Sequence, residues 1–229
     1  MRERIKKLLC LPYAGGSSAM YNSLKKELSD RYEVIAFDYP GHGNRSRENL
    51  LDNLMDTVDD VYDTICAIIA DDFEYAILGY SMGSIVAYEV TKRLVLKGGP
   101  IPEKVFYVAC NSPDTCLEDD VPYDKEDAEF IKYLSEMGGI NEVDFMDSDV
   151  SAYFLPILRS DFKQLYEYDW KQKICALPIP QVIITSQSEN NYHGWSKASS
   201  LESTYFTISR GHFFIRDYYK ELSDIIKNI

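Results

Sequence analysis

The stretch Tyr75-Ala76-Ile77-Leu78-Gly79-Tyr80-Ser81-Met82-Gly83-Ser84-Ile85-Val86-Ala87-Tyr88 constrains this chain more than any other. A short apolar run, Ala76-Ile77-Leu78, meets a Gly-x-Ser-x-Gly turn, and an apolar-rich segment suited to a helix follows from Ile85 to Leu96. A strand that turns straight into a helix forces the corner residue into a sparsely populated backbone conformation. Side chains two positions to either side would collide across so tight a turn, so glycine stands at 79 and 83. Such a corner thrusts Ser81 outward as a nucleophile. It also aims the Met82 amide, at the start of the helix, toward the place where an oxyanion forms. Without its flanks, the same turn would describe only a capped strand-to-helix junction. The strand before it, the helix after it and a histidine far downstream favour the nucleophile.

A length of 229 residues suits one domain with a full core, with or without an inserted subdomain. The net charge of −13 argues against nucleic acid and anionic membrane surfaces as partners. No apolar run is long enough to span a bilayer. The basic start, Met1-Arg2-Glu3-Arg4-Ile5-Lys6-Lys7, leads into Leu8-Leu9-Cys10-Leu11, which is too short for a signal peptide and is interrupted by Pro12. A cytoplasmic protein is therefore expected. The cysteines at 10, 66, 110, 116 and 175 are odd in number and lack framework spacing, which points to reduced thiols. Cys110 and Cys116, with only three histidines in the chain, do not make a zinc site, and no metal or cofactor is expected.

Strand-like and helix-like segments alternate. Leu8–Leu11, Glu33–Phe37, Val105–Ala109, Val182–Thr185 and Thr204–Ile208 read as buried strands beside the one before Ser81. Ala19–Leu28, Leu50–Ile69 and Phe213–Ile226 read as helices. This order implies an α/β fold of the α/β-hydrolase kind, a mostly parallel central sheet with helices on both faces. Sites in such sheets lie at the carboxyl ends of the strands. From Ser112 to Trp170 the alternation breaks. After an acidic start (Glu118, Asp119, Asp120) come a helical segment, Asp124–Met137, and an apolar one, Val150–Leu165, in which Pro156 is expected to kink or split the helix. The expected organisation is a single domain over residues 1–229, with a helical lid inserted at about 115–168.

A serine hydroxyl needs a base. His212 follows the last strand, and the chain order serine, acid, histidine favours it over His42, which precedes the serine, and His193, in a polar loop. The acid that orients it is Glu189, after the strand ending at Thr185, or Asp114, after the strand ending at Ala109; Glu189 is favoured. A second oxyanion donor is expected from Pro12-Tyr13-Ala14-Gly15-Gly16-Ser17, whose glycines let backbone approach a ligand closely.

Several of these residues resemble one family. Leu11-Pro12-Tyr13-Ala14-Gly15-Gly16-Ser17-Ser18 is similar to its Pro-x-Ala-Gly-Gly signature, and Pro40-Gly41-His42-Gly43-Asn44-Arg45 to its Pro-Gly-Arg-x-x-Arg loop, with histidine where arginine is usual. Gly79-Tyr80-Ser81-Met82-Gly83 has tyrosine where histidine is usual. Gly138-Gly139, Leu155-Pro156-Ile157-Leu158-Arg159-Ser160-Asp161-Phe162 and Gly211-His212-Phe213-Phe214 match its lid and its end. Together they resemble the type II thioesterases, stand-alone editing hydrolases of nonribosomal peptide and polyketide synthases. The resemblance implies hydrolysis of acyl groups from the phosphopantetheine arm of carrier proteins. A monomer is expected. The resemblance also implies Ser81 as nucleophile, His212 as base, Glu189 where the family usually has aspartate, and the amides of Ala14 and Met82 as the oxyanion hole. The region from Val121 to Leu165 would be the lid. Because carrier proteins are usually acidic, docking is expected on apolar lid surface and a local basic patch, with Lys25, Lys26, Arg45 and Arg47 as candidates. A broad carboxylesterase with the same triad, and a silent binding module on the same fold, are the alternative readings.

Overall fold

The computed structural model describes residues 5–69, 74–115, 121–169 and 174–229. The basic start at Met1–Arg4, the acidic Glu118–Asp120, Cys116 and Trp170 lie outside the described residues.

Among the described residues six strands form one sheet: β1 (Lys6–Leu11), β2 (Tyr32–Ala36), β3 (Tyr75–Tyr80), β4 (Lys104–Val108), β5 (Gln181–Thr185) and β6 (Ser203–Thr207). Their order is β2-β1-β3-β4-β5-β6, and every pairing is parallel. The chain runs from β1 to one edge and then returns to the other side of β1. The strand order therefore reverses between β1 and β3, the place where a parallel sheet opens a crevice beyond its carboxyl ends. All of β3 is buried, as expected of a central strand covered on both faces.

Helices α2 (Leu54–Ile68) and α3 (Met82–Lys97) cover one face, and α1 (Asn22–Leu28) with α6 (Tyr219–Lys227) the other. On the first face Val58, Val61 and Ile65 of α2 pack with Ile85, Val90 and Leu94 of α3 against Leu9, Ile77 and Val105. On the second, Leu24, Leu28, Leu222 and Ile226 cover Leu8, Leu78 and Phe106. Each such side chain taken fully from water contributes about 1.5–3 kcal/mol. Between β4 and β5 lie α4 (Asp127–Glu136) and α5 (Ser148–Glu167). They build a third cluster from Val121, Phe130, Leu134, Leu155, Leu158 and Phe162, separate from both sheet cores. No helix among the described residues is long and apolar enough to cross a membrane.

Four elements differ from their sequence expectations. β6, expected to be buried, is half-buried to exposed along Ser203–Thr207, because it is the edge strand of the sheet. The split expected at Pro156 does not occur, because α5 runs unbroken through it. Pro156 and Ala152 both lie on the exposed side, so the carbonyl deprived of its donor faces water. Helix α2 starts at Leu54 rather than Leu50, because the Asn53 side chain accepts from the Met55 N–H (2.7 Å) and caps it there. Leu51 instead offers its carbonyl to Ser160 (2.7 Å) and Gln164 (2.8 Å), fastening α5 to the sheet body. The last helix begins at Tyr219 rather than Phe213. The apolar residues Phe214 and Ile215 that suggested an earlier start are buried in turns against Tyr80 and the second core.

Candidate active site

Ser81 stands where β3 becomes α3, with φ 52° and ψ −118°. A positive φ is rare for a residue with a side chain and is held only when its surroundings over-determine it. The corner is pinned on both sides: the Ser81 N–H donates to the Val108 carbonyl (2.8 Å), and the Ser84 N–H to the Ser81 carbonyl (2.8 Å). The two flanking glycines are obligatory. A Cβ at Gly79 would lie 2.1 Å from the Gly83 carbonyl oxygen, and one at Gly83 would lie 2.2 Å from that of Leu11. The elbow thus presses directly on β1, and the β1–β3 crevice is where Ser81 emerges.

His212 follows β6 and reaches back with Nε2 3.0 Å from Ser81 Oγ. Its Nδ1 lies 2.8 Å from Oε1 of Glu189, whose other oxygen accepts from the Ser186 N–H (2.6 Å). An ionised carboxylate can only accept, so Nδ1 carries the proton and donates it, leaving Nε2 free to accept the serine proton. Burial alone would raise the Glu189 carboxyl, but the hydrogen bonds from His212 and Ser186 prevail and hold it below the usual carboxylate range. The loop bearing Glu189 is weighted down by Trp195, fully buried, stacked on Tyr107 at 3.9 Å and donating from Nε1 to the Cys110 carbonyl (3.0 Å).

Tyr80, beside the nucleophile, donates its hydroxyl to the His212 carbonyl (2.5 Å) and accepts from the Ile215 N–H (3.4 Å). Burial pushes this phenol well up, so it remains a donor. Elbow and histidine loop, far apart in sequence, are tied by a direct contact.

The rival acid, Asp114, is engaged elsewhere: it accepts from Ser112 Oγ (2.6 Å) and pairs with Lys197 (2.5 Å). His193 is exposed beside Tyr192, and His42 is buried against Asp161. On the β1 side the Gly16 N–H donates to the Tyr13 carbonyl (2.8 Å), closing a turn with Gly15 at φ +75°. That sign at the third residue of a turn is the type II form. Ala14 in this turn and Met82, in the first turn of α3 where N–H groups lack intrahelical partners, border the same cavity as Ser81 and His212. The cavity measures about 1040 Å³, and α4 and α5 roof it with apolar residues including Leu134, Leu158 and Phe162.

Asp161 was not singled out in the sequence as a functional residue. It is fully buried, receiving the Gly15 N–H (2.7 Å) and lying 2.9 Å from His42 Nε2. The signal was a lone carboxylate within the apolar stripe Leu155, Leu158, Phe162, Leu165 of α5. Arg45 is tied to Asp60 through both terminal nitrogens (2.6 and 2.8 Å) and to Glu48, so it is not a spare surface cation. Lys25, Lys26 and Arg47 are exposed.

The parallel sheet, the strained serine corner and the crevice between β1 and β3 define an α/β-hydrolase. Its relatives narrow that class. The thioesterase domain family matches residues 6–229, and the chain belongs to that family. It is 26% identical over 215 residues to the gramicidin S biosynthesis protein GrsT of Aneurinibacillus migulanus, covering 91% of this chain and 82% of that protein. To thioesterase PikA5 of Streptomyces venezuelae it is 25% identical over 230 residues, covering 97% and 80%. The crystal structure of ClbQ from the colibactin NRPS/PKS pathway superposes with a TM-score of 0.90 at 25% identity, covering 98% of this chain and 96% of that one.

Proposed function

We propose that this hydrolase releases acyl groups from the phosphopantetheine arm of carrier proteins serving nonribosomal peptide or polyketide synthesis, through an acyl-serine intermediate. The observation that carries the reading is the line Ser81 Oγ–His212 Nε2 (3.0 Å) and His212 Nδ1–Glu189 (2.8 Å) beneath an apolar-roofed cavity large enough for an acyl chain. The likeness to GrsT, a gramicidin S biosynthesis protein, to the thioesterase PikA5 and to ClbQ of the colibactin NRPS/PKS pathway supports the carrier-bound substrate.

In this reading Ser81 Oγ attacks the thioester carbonyl while His212 Nε2 takes its proton. The amides of Ala14 and Met82 receive the developing oxyanion. The carbon–sulfur bond then breaks, and His212 returns the proton to the pantetheine sulfur. Water, deprotonated by the same nitrogen, attacks the acyl-serine carbonyl, and His212 returns that proton to Ser81 Oγ as the carbon–oxygen bond breaks and the free acid leaves. The segment from 121 to 165 acts as a lid, and the enzyme works as a monomer. Docking uses the exposed lid residues Val143, Met146 and Tyr153, with Lys25, Lys26 and Arg47 as the available cations. The described cysteines 10, 66, 110 and 175 are free thiols, which supports a cytoplasmic setting.

The test is hydrolysis of an acyl-loaded carrier protein, followed by mass spectrometry, in wild type and Ser81→Ala. Loss of the nucleophile should lower turnover by about 10⁶-fold with an unchanged circular dichroism spectrum. Wild type that cleaves a simple aryl ester but no acyl-carrier thioester would remove the carrier-protein reading. Wild type and variant acting at equal rates would remove the serine mechanism.

A further inference from the structure

Between the inserted helices and the nucleophile lies a buried pair that the triad does not use. His42 is 2% exposed and Asp161 0%. His42 Nδ1 lies 3.0 Å from the Pro40 carbonyl, and Nε2 lies 2.9 Å from Asp161 Oδ2. A carbonyl and a carboxylate can only accept, so both ring nitrogens donate and His42 is an imidazolium. Burial favours the neutral ring, but the Asp161 carboxylate, the Pro40 carbonyl and the more distant Asp38 together hold its proton above the ordinary histidine range. The ring of Tyr39 packs edge-on to it at 5.8 Å.

The same Asp161 oxygen receives the Gly15 N–H at 2.7 Å. That N–H belongs to the central peptide of the turn Tyr13–Gly16, the plane whose rotation interconverts type I and type II turns. Glycine at 15 leaves both forms sterically open, so the acceptor, rather than sterics within the turn, selects the one observed. Packing reinforces the selection from the same helix: a Cβ at Gly15 would lie 2.4 Å from Leu158 Cδ2.

We infer that Asp161, held by His42, is a positioning residue for catalysis: it fixes the turn that presents the Ala14 amide to the reacting carbonyl. The pair joins α5 of the inserted segment to the oxyanion side of the site, so the roof of the cavity and its β1 wall are set together. Asp161 Oδ1 has no hydrogen-bond partner among the described residues. A cavity of about 120 Å³ beside His42, bordered by Ser17, Tyr153 and Ile157, has room for a longer cation. An arginine at 42 would therefore keep a permanent positive charge beside the Asp161 carboxylate.

This inference rests on the proposed reading of Ser81 and Ala14, and the experiment separates the two. Steady-state hydrolysis of an acyl-pantetheine thioester is measured for wild type, Asp161→Asn, His42→Gln and His42→Arg, with thermal melts alongside. Misplacing one oxyanion donor should cost about 10²-fold in kcat while KM stays within about threefold, so Asp161→Asn and His42→Gln are expected to show that split. His42→Arg is expected to remain within about threefold of wild type. A folded Asp161→Asn with wild-type kcat, or a loss confined to KM or to melting temperature, overturns the inference. If Asp161→Asn does not fold, equal kcat for the Gln and Arg variants of His42 overturns it. An inactive wild type would instead strike at the function itself.

Discussion

Glu189→Gln tests the orientation of the base more sharply than removal of the side chain would. The glutamate accepts twice, from His212 Nδ1–H at 2.8 Å and from the Ser186 N–H at 2.6 Å. Glutamine offers one acceptor and one NH₂ in the same volume, so one of those donors must face another donor. If the amide oxygen stays on Ser186, the NH₂ donates to Nδ1 and drives the histidine proton to Nε2, where it can no longer receive the Ser81 proton. If the oxygen stays on His212, the Ser186 N–H is left opposing NH₂ inside the protein, and no carboxylate charge balances the imidazolium. The first outcome is the wrong-tautomer defect, for which the comparable change in a serine triad costs about 10⁴-fold in kcat. The second costs stability, about 1.5–3 kcal/mol for a lost hydrogen bond to a charged group. Asp114→Asn is the matched control, since that carboxylate bonds Ser112 and Lys197 and does not touch His212. Its ion pair is worth about 0–1 kcal/mol, and kcat should be unaffected. Thiol release from an acyl-pantetheine at saturating substrate gives kcat for both. Glu189→Gln keeping more than about a tenth of wild-type kcat, or Asp114→Asn falling as far as the expected 10⁴, would refute the assignment.

Acid should expose the same carboxylate through stability. Its folded pKa lies below the unfolded one, so its contribution is fully present above the unfolded value and is lost as pH falls through the folded value. The melting-temperature gap between wild type and Glu189→Gln should therefore be widest near neutrality and close below about pH 4.5; a gap that widens in acid contradicts this. At the corner, Gly79→Ala places a methyl 2.1 Å from the Gly83 carbonyl oxygen, which is backbone and cannot step aside. A destabilisation of about 3 kcal/mol or more is expected in chemical denaturation, and a wild-type midpoint would show the elbow to be looser than described.

What the sequence made legible follows the range of the forces involved. Ser81 and its glycines are a local steric problem, readable from five consecutive residues. The strand-then-helix order is equally local, and it led to the fold class, to His212 beyond β6 and to Glu189 beyond β5. Boundaries were less readable where apolar residues serve tertiary contacts. Phe214 and Ile215 fit a helical period, yet they fill turns under Tyr80, so α6 starts later. Asp161 sits in a stripe otherwise made of leucine and phenylalanine, and only its meeting with His42 and Gly15, both more than a hundred residues away, explains a buried charge there. Arg45 resembled a free surface cation because its partner Asp60 lies fifteen residues on, in α2.

The hydroxyl of Tyr80 has a mechanical consequence. It clasps the main chain of His212 from the residue next to Ser81, so the central strand itself gauges the gap between attacking oxygen and receiving nitrogen. The inserted helices carry their own apolar cluster and contribute no atom to that clasp. The spacing on which proton transfer depends is thus anchored in the floor of the cavity, independent of what the roof covers.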